Sequence, residues 1–223
     1  MKNTILKRLF LYNSFLFFFF FLLFLIFPRL DIYLSNFFFI QGSFISEKYI
    51  IIKDLRNFLK NLMIFIPFVA IALLLINMIN KKQKVKSSLK DRTKYVLVGF
   101  IIGPIVGCGI IANMYFKDTW GRARPVQVQE FGGTKFFTPP FIKTDQCEKN
   151  CSWISGEASA AFSFLVGTIL LKNKIFFVIN IFVGLLVFFC RISMGGHFFS
   201  DNIFAMIFMI YLAILYKNLI YIY

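Results

Sequence analysis

The only histidine of the chain, His197, stands four residues before Asp201 and six after Arg191. On a helix that begins after Gly195-Gly196, residues four apart share a face. Asp201 can then accept from one ring nitrogen, fix the tautomer and leave the other nitrogen as a nucleophile or base. A second stretch, KDTWGRARP, brings Lys117, Arg122 and Arg124 together at the end of a long apolar run, with Gly121 to bend the backbone and Pro125 to stop a helix. Guanidinium forks bind phosphate oxygens in pairs and keep their charge as it redistributes in a transition state. Ser155, Gly156 and Glu157 open a further apolar run, where a hydroxyl, backbone N–H groups and the positive end of a helix suit an anion. Each piece alone has a plainer reading: a histidine satisfied at an interface, snorkelling cations, a helix-terminal acid. Together they describe chemistry on a phosphate, provided that the chain brings them to one place.

The elements that must do so are membrane helices. With 59% hydrophobic residues, 33 Phe and a mean hydropathy of +0.75, the 223 residues read as one all-α, polytopic membrane domain spanning 1–223. Six transmembrane helices are expected: Leu9 to Phe27, Phe58 to Asn80, Tyr95 to Phe116, Ile154 to Leu171, Ile175 to Met194, and Phe198 to Ile220. The first follows Lys2, Lys7 and Arg8 as a secretory signal would, but it can span a bilayer and meets Pro28-Arg29 instead of a cleavage site. Asp31 to Asn57 mixes charge and aromatics in a way that suits the membrane interface. Gly99, Gly103 and Gly107, four apart, suit close helix approach.

The net charge of +15 raises nucleic acid as a partner, but its distribution argues otherwise. Lys81, Lys82, Lys84, Lys86, Lys90, Arg92 and Lys94 lie in one short loop between apolar runs, and no nucleic-acid-reading module accompanies them. With both termini cytoplasmic, the inner segments hold thirteen bases against Asp91 alone, and the outer segments hold twelve bases and nine acids. This asymmetry orients the chain and puts all three charged stretches on the outer face.

Cys147 and Cys151 sit in the outer segment Val126 to Trp153, where a disulfide between them is one possibility and free thiols the other. One histidine and two thiols make a weak zinc set, so no metal is expected. The same segment carries Lys135, Lys143 and Lys149 among Phe136, Phe137, Phe141 and Trp153, either a headgroup-selective surface or an ordinary interfacial loop.

The three stretches resemble, in order and spacing, the signature of the type-2 phosphatidic acid phosphatase superfamily. Lys117 with Arg124-Pro125, Ser155-Gly156, and Arg191 with His197 and Asp201 carry the resemblance, which covers about the second half of the chain. It implies a membrane helical bundle, a phosphohistidine intermediate and no required metal or other cofactor. Carried over by position, it implies His197 as nucleophile, Asp201 as its orienting partner, and Lys117, Arg124, Arg191, Ser155 and Gly156 as the phosphate cradle. Two positions depart from the pattern. Glu157 stands where the family has an acid-supplying His, and Cys190 where it has Ser. Glu157 can replace the acid only if protonated, which burial favours and neighbouring cations oppose. Arg122 is left as a possible headgroup contact.

Within that superfamily, KDTWGRARP, CSWISGEAS and GGHFFSD look like the corresponding stretches of lipid A 4′-phosphatases of Gram-negative inner membranes. That resemblance implies hydrolysis of the 4′-phosphate of lipid A at the periplasmic face, with the lipid reaching the site from the bilayer. Undecaprenyl diphosphate and phosphatidylglycerol phosphate are the alternative substrates. A catalytically silent phospholipid binder or transporter is the alternative of another class. The oligomeric state is not legible.

Overall fold

A computed structural model describes residues 2–83 and 89–222; Lys84 and Lys86 of the basic loop lie outside them. The fold is mostly helical. Among the described residues, five stretches are long and apolar enough to cross a membrane. They lie in α1 (Lys2–Ile26), in α4 (Ile50–Lys82), in α5 (Asp91–Gly103) with its π-helical continuation Pro104–Lys117, in α8 (Ile175–Ser193) and in α9 (Phe199–Ile222). Between α1 and α4 lie two short helices, α2 (Leu30–Asn36) and α3 (Ile45–Lys48), and a two-stranded antiparallel hairpin, β1 (Phe39–Ile40) with β2 (Ser43–Phe44).

Two features differ from the reading of the sequence. The segment expected to be a fourth long helix is two short ones, α6 (Gly156–Ser163) and α7 (Leu165–Thr168). They are joined at Phe164, whose carbonyl accepts from both Gly167 and Thr168. Small residues explain why this piece is central: Ala158, Ser159, Ala161 and Gly167 let neighbouring backbones come close. A Cβ on Gly99 would lie 2.7 Å from the Cα of Gly167, and one on Gly103 would lie 2.3 Å from the carbonyl oxygen of Ser163. The glycine spacing in α5 therefore serves close packing, against α6 and α7.

The second difference is that α4 begins at Ile50, eight residues before the expected start, so the charged end of the interfacial stretch is helical. The remainder of that stretch is partly packed into the protein. Asp31, on α2, is fully buried. The phenylalanine-rich α1 exposes Phe15, Phe18, Phe19 and Leu22, as a lipid-facing anchor would. It is nonetheless tied to α9: Asn13 donates to the carbonyl of Ile207 at 3.1 Å, and Tyr211 donates to Ser14 at 2.9 Å. The core centres on Trp153, Phe162, Leu165, Phe204 and Ile207, all within the second half of the chain.

Candidate active site

Each of the three stretches ends or begins a helix, and backbone hydrogen bonds knit the ends together. Lys117 closes the π-helical segment, a form in which helices are seldom wound for so long. Ser155 caps α6, Arg191 lies in the last turn of α8, and Asp201 in the first turn of α9. Val126 N–H donates to the carbonyl of Gly195 at 3.1 Å, Ser152 to Arg122 at 2.8 Å, and Ser155 to Asp201 at 3.1 Å. The stretches that sequence separates therefore form one rigid cluster.

A cavity of about 330 Å³ opens there, lined by Arg56, Lys117, Arg124, Asn150, Glu157, Arg191 and His197, among others. Arg191 reaches it because Gly196 has no side chain: a Cβ there would lie 2.5 Å from Arg191 Nη2. Gly156 plays a similar part for Lys117, since a Cβ would lie 2.9 Å from Nζ. Ser155 is different. It is fully buried, its hydroxyl accepts from Ala158 N–H at 3.4 Å as a helix cap, and it is not among the residues lining the cavity.

His197 is 1% exposed, and its Nδ1 lies 2.8 Å from the carbonyl oxygen of Ser152. A carbonyl can only accept, so Nδ1 carries the proton and Nε2 has a free lone pair. The expected partner Asp201 stands beside this nitrogen without taking its hydrogen bond. Asp201 Oδ2 is 3.5 Å from Nδ1, beyond a good hydrogen bond. It accepts instead from Ser152 Oγ, and from Phe198 N–H at 2.8 Å. The carboxylate thus holds the residue that holds the ring. Burial, followed by the charges of Arg191, Arg124 and Lys117, pushes the imidazole well below its ordinary range. Both effects favour the neutral ring.

Arg122 also departs from expectation. It is wholly buried, not a headgroup contact, because its charge is spent inside the protein. Nη1 donates to Asp201 at 2.6 Å and to Ser200 at 2.9 Å, Nη2 to Asp31 at 2.8 Å, and Nε to the carbonyl of Thr138 at 2.8 Å. The Phe198 ring centroid lies 4.4 Å from Cζ. Burial pushes the Asp31 carboxyl up, and Arg122 draws it back.

Lys117 and Arg124 face one another across Asn150. The Asn150 side-chain oxygen accepts from Lys117 at 3.2 Å and from Arg124 Nη2 at 2.7 Å, while its backbone oxygen accepts from Arg124 Nε at 3.1 Å. Burial is the main cause of a lowered Arg124 pKa. Asn150 is presented in a left-handed conformation, φ 52°, by the segment that Cys147 and Cys151 close as a disulfide with Cα atoms 5.6 Å apart.

Glu157 is clasped by Arg56, whose Nε donates to Oε2 at 2.8 Å and whose Nη2 donates to Oε1. Arg191 Nη1 lies 3.4 Å from the same Oε1. Such two-oxygen acceptance belongs to a carboxylate, not to a protonated acid. A second, apolar groove of about 510 Å³ runs between α4 and the π-helical segment, past Met63, Phe68 and Ile105, and shares Lys117 and Glu157 with the cation-lined cavity.

Reading the sequence missed Arg56, Asn150, Ser152 and Asp31. Arg56 had a signal, because apolar residues at Ile52, Leu55, Leu59 and Met63 keep helical spacing through it. Ser152 acts through its backbone carbonyl, which no residue type announces.

A helical bundle with apolar spans that sets a buried histidine among several cations suits phosphate chemistry. The chain belongs to the PAP2 superfamily, whose family model matches residues 92–222. It is 37% identical over 191 residues to the lipid A 4′-phosphatase of Francisella tularensis subsp. novicida (strain U112), covering 83% of each chain. The lipid A 4′-phosphatases of Rhizobium etli and Rhizobium leguminosarum are 29% and 25% identical over 193 and 191 residues, covering 78% of this chain and 73% and 80% of theirs. No solved structure matches the chain. Family and relatives together make it a phosphoric monoester hydrolase acting on membrane lipid.

Proposed function

We propose that the chain removes the 4′-phosphate of lipid A through a phosphohistidine formed on His197, at the periplasmic face of a Gram-negative inner membrane. One observation carries the reading: within a cation-lined cavity, His197 donates Nδ1–H to the Ser152 carbonyl and keeps Nε2 for attack. Nε2 bonds to phosphorus as the ester P–O bond breaks and the leaving oxygen takes up a proton from solvent water. Water then adds to phosphorus, and the P–N bond breaks, returning its electron pair to the imidazole. Lys117, Arg124 and Arg191 hold the phosphoryl oxygens and stabilise the charge that builds on them. Arg191 Nε, buried without a hydrogen-bond partner among the described residues, supports an anion at this position, since such a group is costly to bury unpaired. Ser155 and Gly156 serve the cradle indirectly, by capping α6 and making room for Lys117.

Six membrane crossings, with α6 and α7 as the buried fourth, and cytoplasmic termini put this cavity on the outer side. The lysine-rich segment after α4 supports that orientation. The apolar groove beside Lys117 supports a substrate that comes from the bilayer with its acyl chains still in apolar surroundings.

Mass spectrometry of lipid A from cells with and without the protein tests the substrate. Loss of the 4′-phosphate only in cells that make it is the expected result, and an unchanged 4′-phosphate rejects lipid A in favour of undecaprenyl diphosphate or phosphatidylglycerol phosphate. Purified protein with chelator present tests the chemistry. The wild type should release phosphate and His197→Ala should not.

A further inference from the structure

Glu157 stands where the superfamily signature has an imidazole, and its ion pair reaches outside that signature. Arg56 lies 101 residues earlier, on α4, before the matched region 92–222. Both residues line the cavity of His197. Their side chains are 23% and 22% exposed, so this is not the free surface pair that solvent leaves with little effect.

An imidazole exchanges protons near neutral pH without assistance. A carboxylate in its place needs a fixed charge state and a fixed direction. Left to itself, Glu157 would compete with the substrate phosphate for Arg191, which already lies 3.4 Å away. Arg56 engages both carboxylate oxygens and settles both matters at once. We propose that Arg56 is a positioning residue for the reaction, acting through Glu157, which it keeps ionised and aimed as the base of the second half-reaction. The proposal rests on the phosphohistidine reading. In that step the water oxygen bonds to phosphorus, the P–Nε2 bond breaks with its pair returning to nitrogen, and the proton lost by water passes to Glu157.

The other groups facing Glu157 are Arg191 from α8, Lys117 from the π-helical segment, and His197 and Arg124 from the connecting loops, with the thiols of Cys108 and Cys190 nearby. Without Arg56 these cations still favour the carboxylate, but less strongly.

The test is a double-mutant cycle on the purified protein, measuring phosphate release from lipid A in detergent micelles, with phosphatidic acid as a second probe. Arg56→Ala and Glu157→Gln should each lower kcat by about 100-fold, in the range of a lost general base, with KM nearly unchanged. The double variant should be no worse than Glu157→Gln, and the acid limb of kcat in Arg56→Ala should move to higher pH. Arg56→Lys should recover part of the loss. Losses that multiply, a loss confined to KM, or an unmoved acid limb with a lowered melting temperature would each overturn the proposal while leaving His197 dependence intact. Wild-type silence on both lipids, or release that survives His197→Ala, would remove the phosphohistidine reading and this proposal with it.

Discussion

Arg122 Nη1 donates to Asp201 Oδ1 at 2.6 Å with both side chains wholly buried. Because Asp31 shares the same guanidinium, Arg122→Ala would strand two carboxylates in the interior. Breaking a buried pair in this way costs about 3–5 kcal/mol. Arg122→Ala should therefore melt far below the wild type in detergent. Arg122→Lys should not rescue it, since one ammonium cannot reproduce a planar fork. A variant that melted with the wild type would refute this role.

Ser152 links that pair to His197. Ser152→Ala keeps the carbonyl that accepts from His197 and removes the hydroxyl that donates to Asp201. Loss of one hydrogen bond to a charged group is on the order of 1.5 kcal/mol, or about tenfold in rate if it is felt at the ring. The expected signature is a lower kcat with KM unchanged, read by steady-state kinetics. A variant with wild-type kcat would show that the ring needs no support from Asp201.

The depressed His197 pKa sets the sign of the pH dependence. The folded protein keeps the ring neutral at pH values where the unfolded chain has protonated it, near its ordinary value of about 6.5. Activity should hold as pH falls through that value and fail only further into acid. Stability runs the other way. Below about pH 6.5 the unfolded chain binds the extra proton, so this group lowers stability progressively until the folded pKa is reached. In Arg124→Gln one opposing cation is gone, and the acid limb of the residual activity should move up. An acid limb at the ordinary imidazole value in the wild type would contradict the buried environment.

Reduction of the Cys147–Cys151 disulfide should act on binding more than on folding. So short a loop contributes about 2 kcal/mol in the chain-entropy account. Arg124, which lines the cavity, is held to Asn150 through Nε and Nη2. Freeing Asn150 should raise KM with little change in kcat, measured with and without dithiothreitol. A Cys147→Ser, Cys151→Ser double variant should behave as the reduced protein does, and should be indifferent to reductant.

Much of this site was legible because its chemistry sits in side chains at tight spacings: Lys117 to Arg124, and Arg191 to His197 to Asp201. The structure brings those stretches together as the phosphate reading requires. What escaped had two causes. The interior of a membrane protein can use charge structurally, so Arg122 looked like a ligand contact when it serves the scaffold. The hydrogen-bond partner of His197 is a main-chain oxygen, Ser152, which leaves no mark on composition. Helix existence followed from apolar runs, but the break at Phe164 depends on packing of small residues that periodicity does not register. Arg56 was hidden by a misplaced helix start, since treating Asp31 to Asn57 as one interfacial stretch separated it from the apolar spacing of α4.

The two anions on Arg122 lie 91 residues before it and 79 after it. During synthesis Asp31 is made first, and Arg122 has a counter-ion as soon as it emerges. The second arrives only with α9, which is translated after Arg122 and begins two residues after His197. Biogenesis and the site thus share a step: a nascent chain that has not seated α9 lacks both the second counter-ion of Arg122 and the carboxylate that holds Ser152 beside His197.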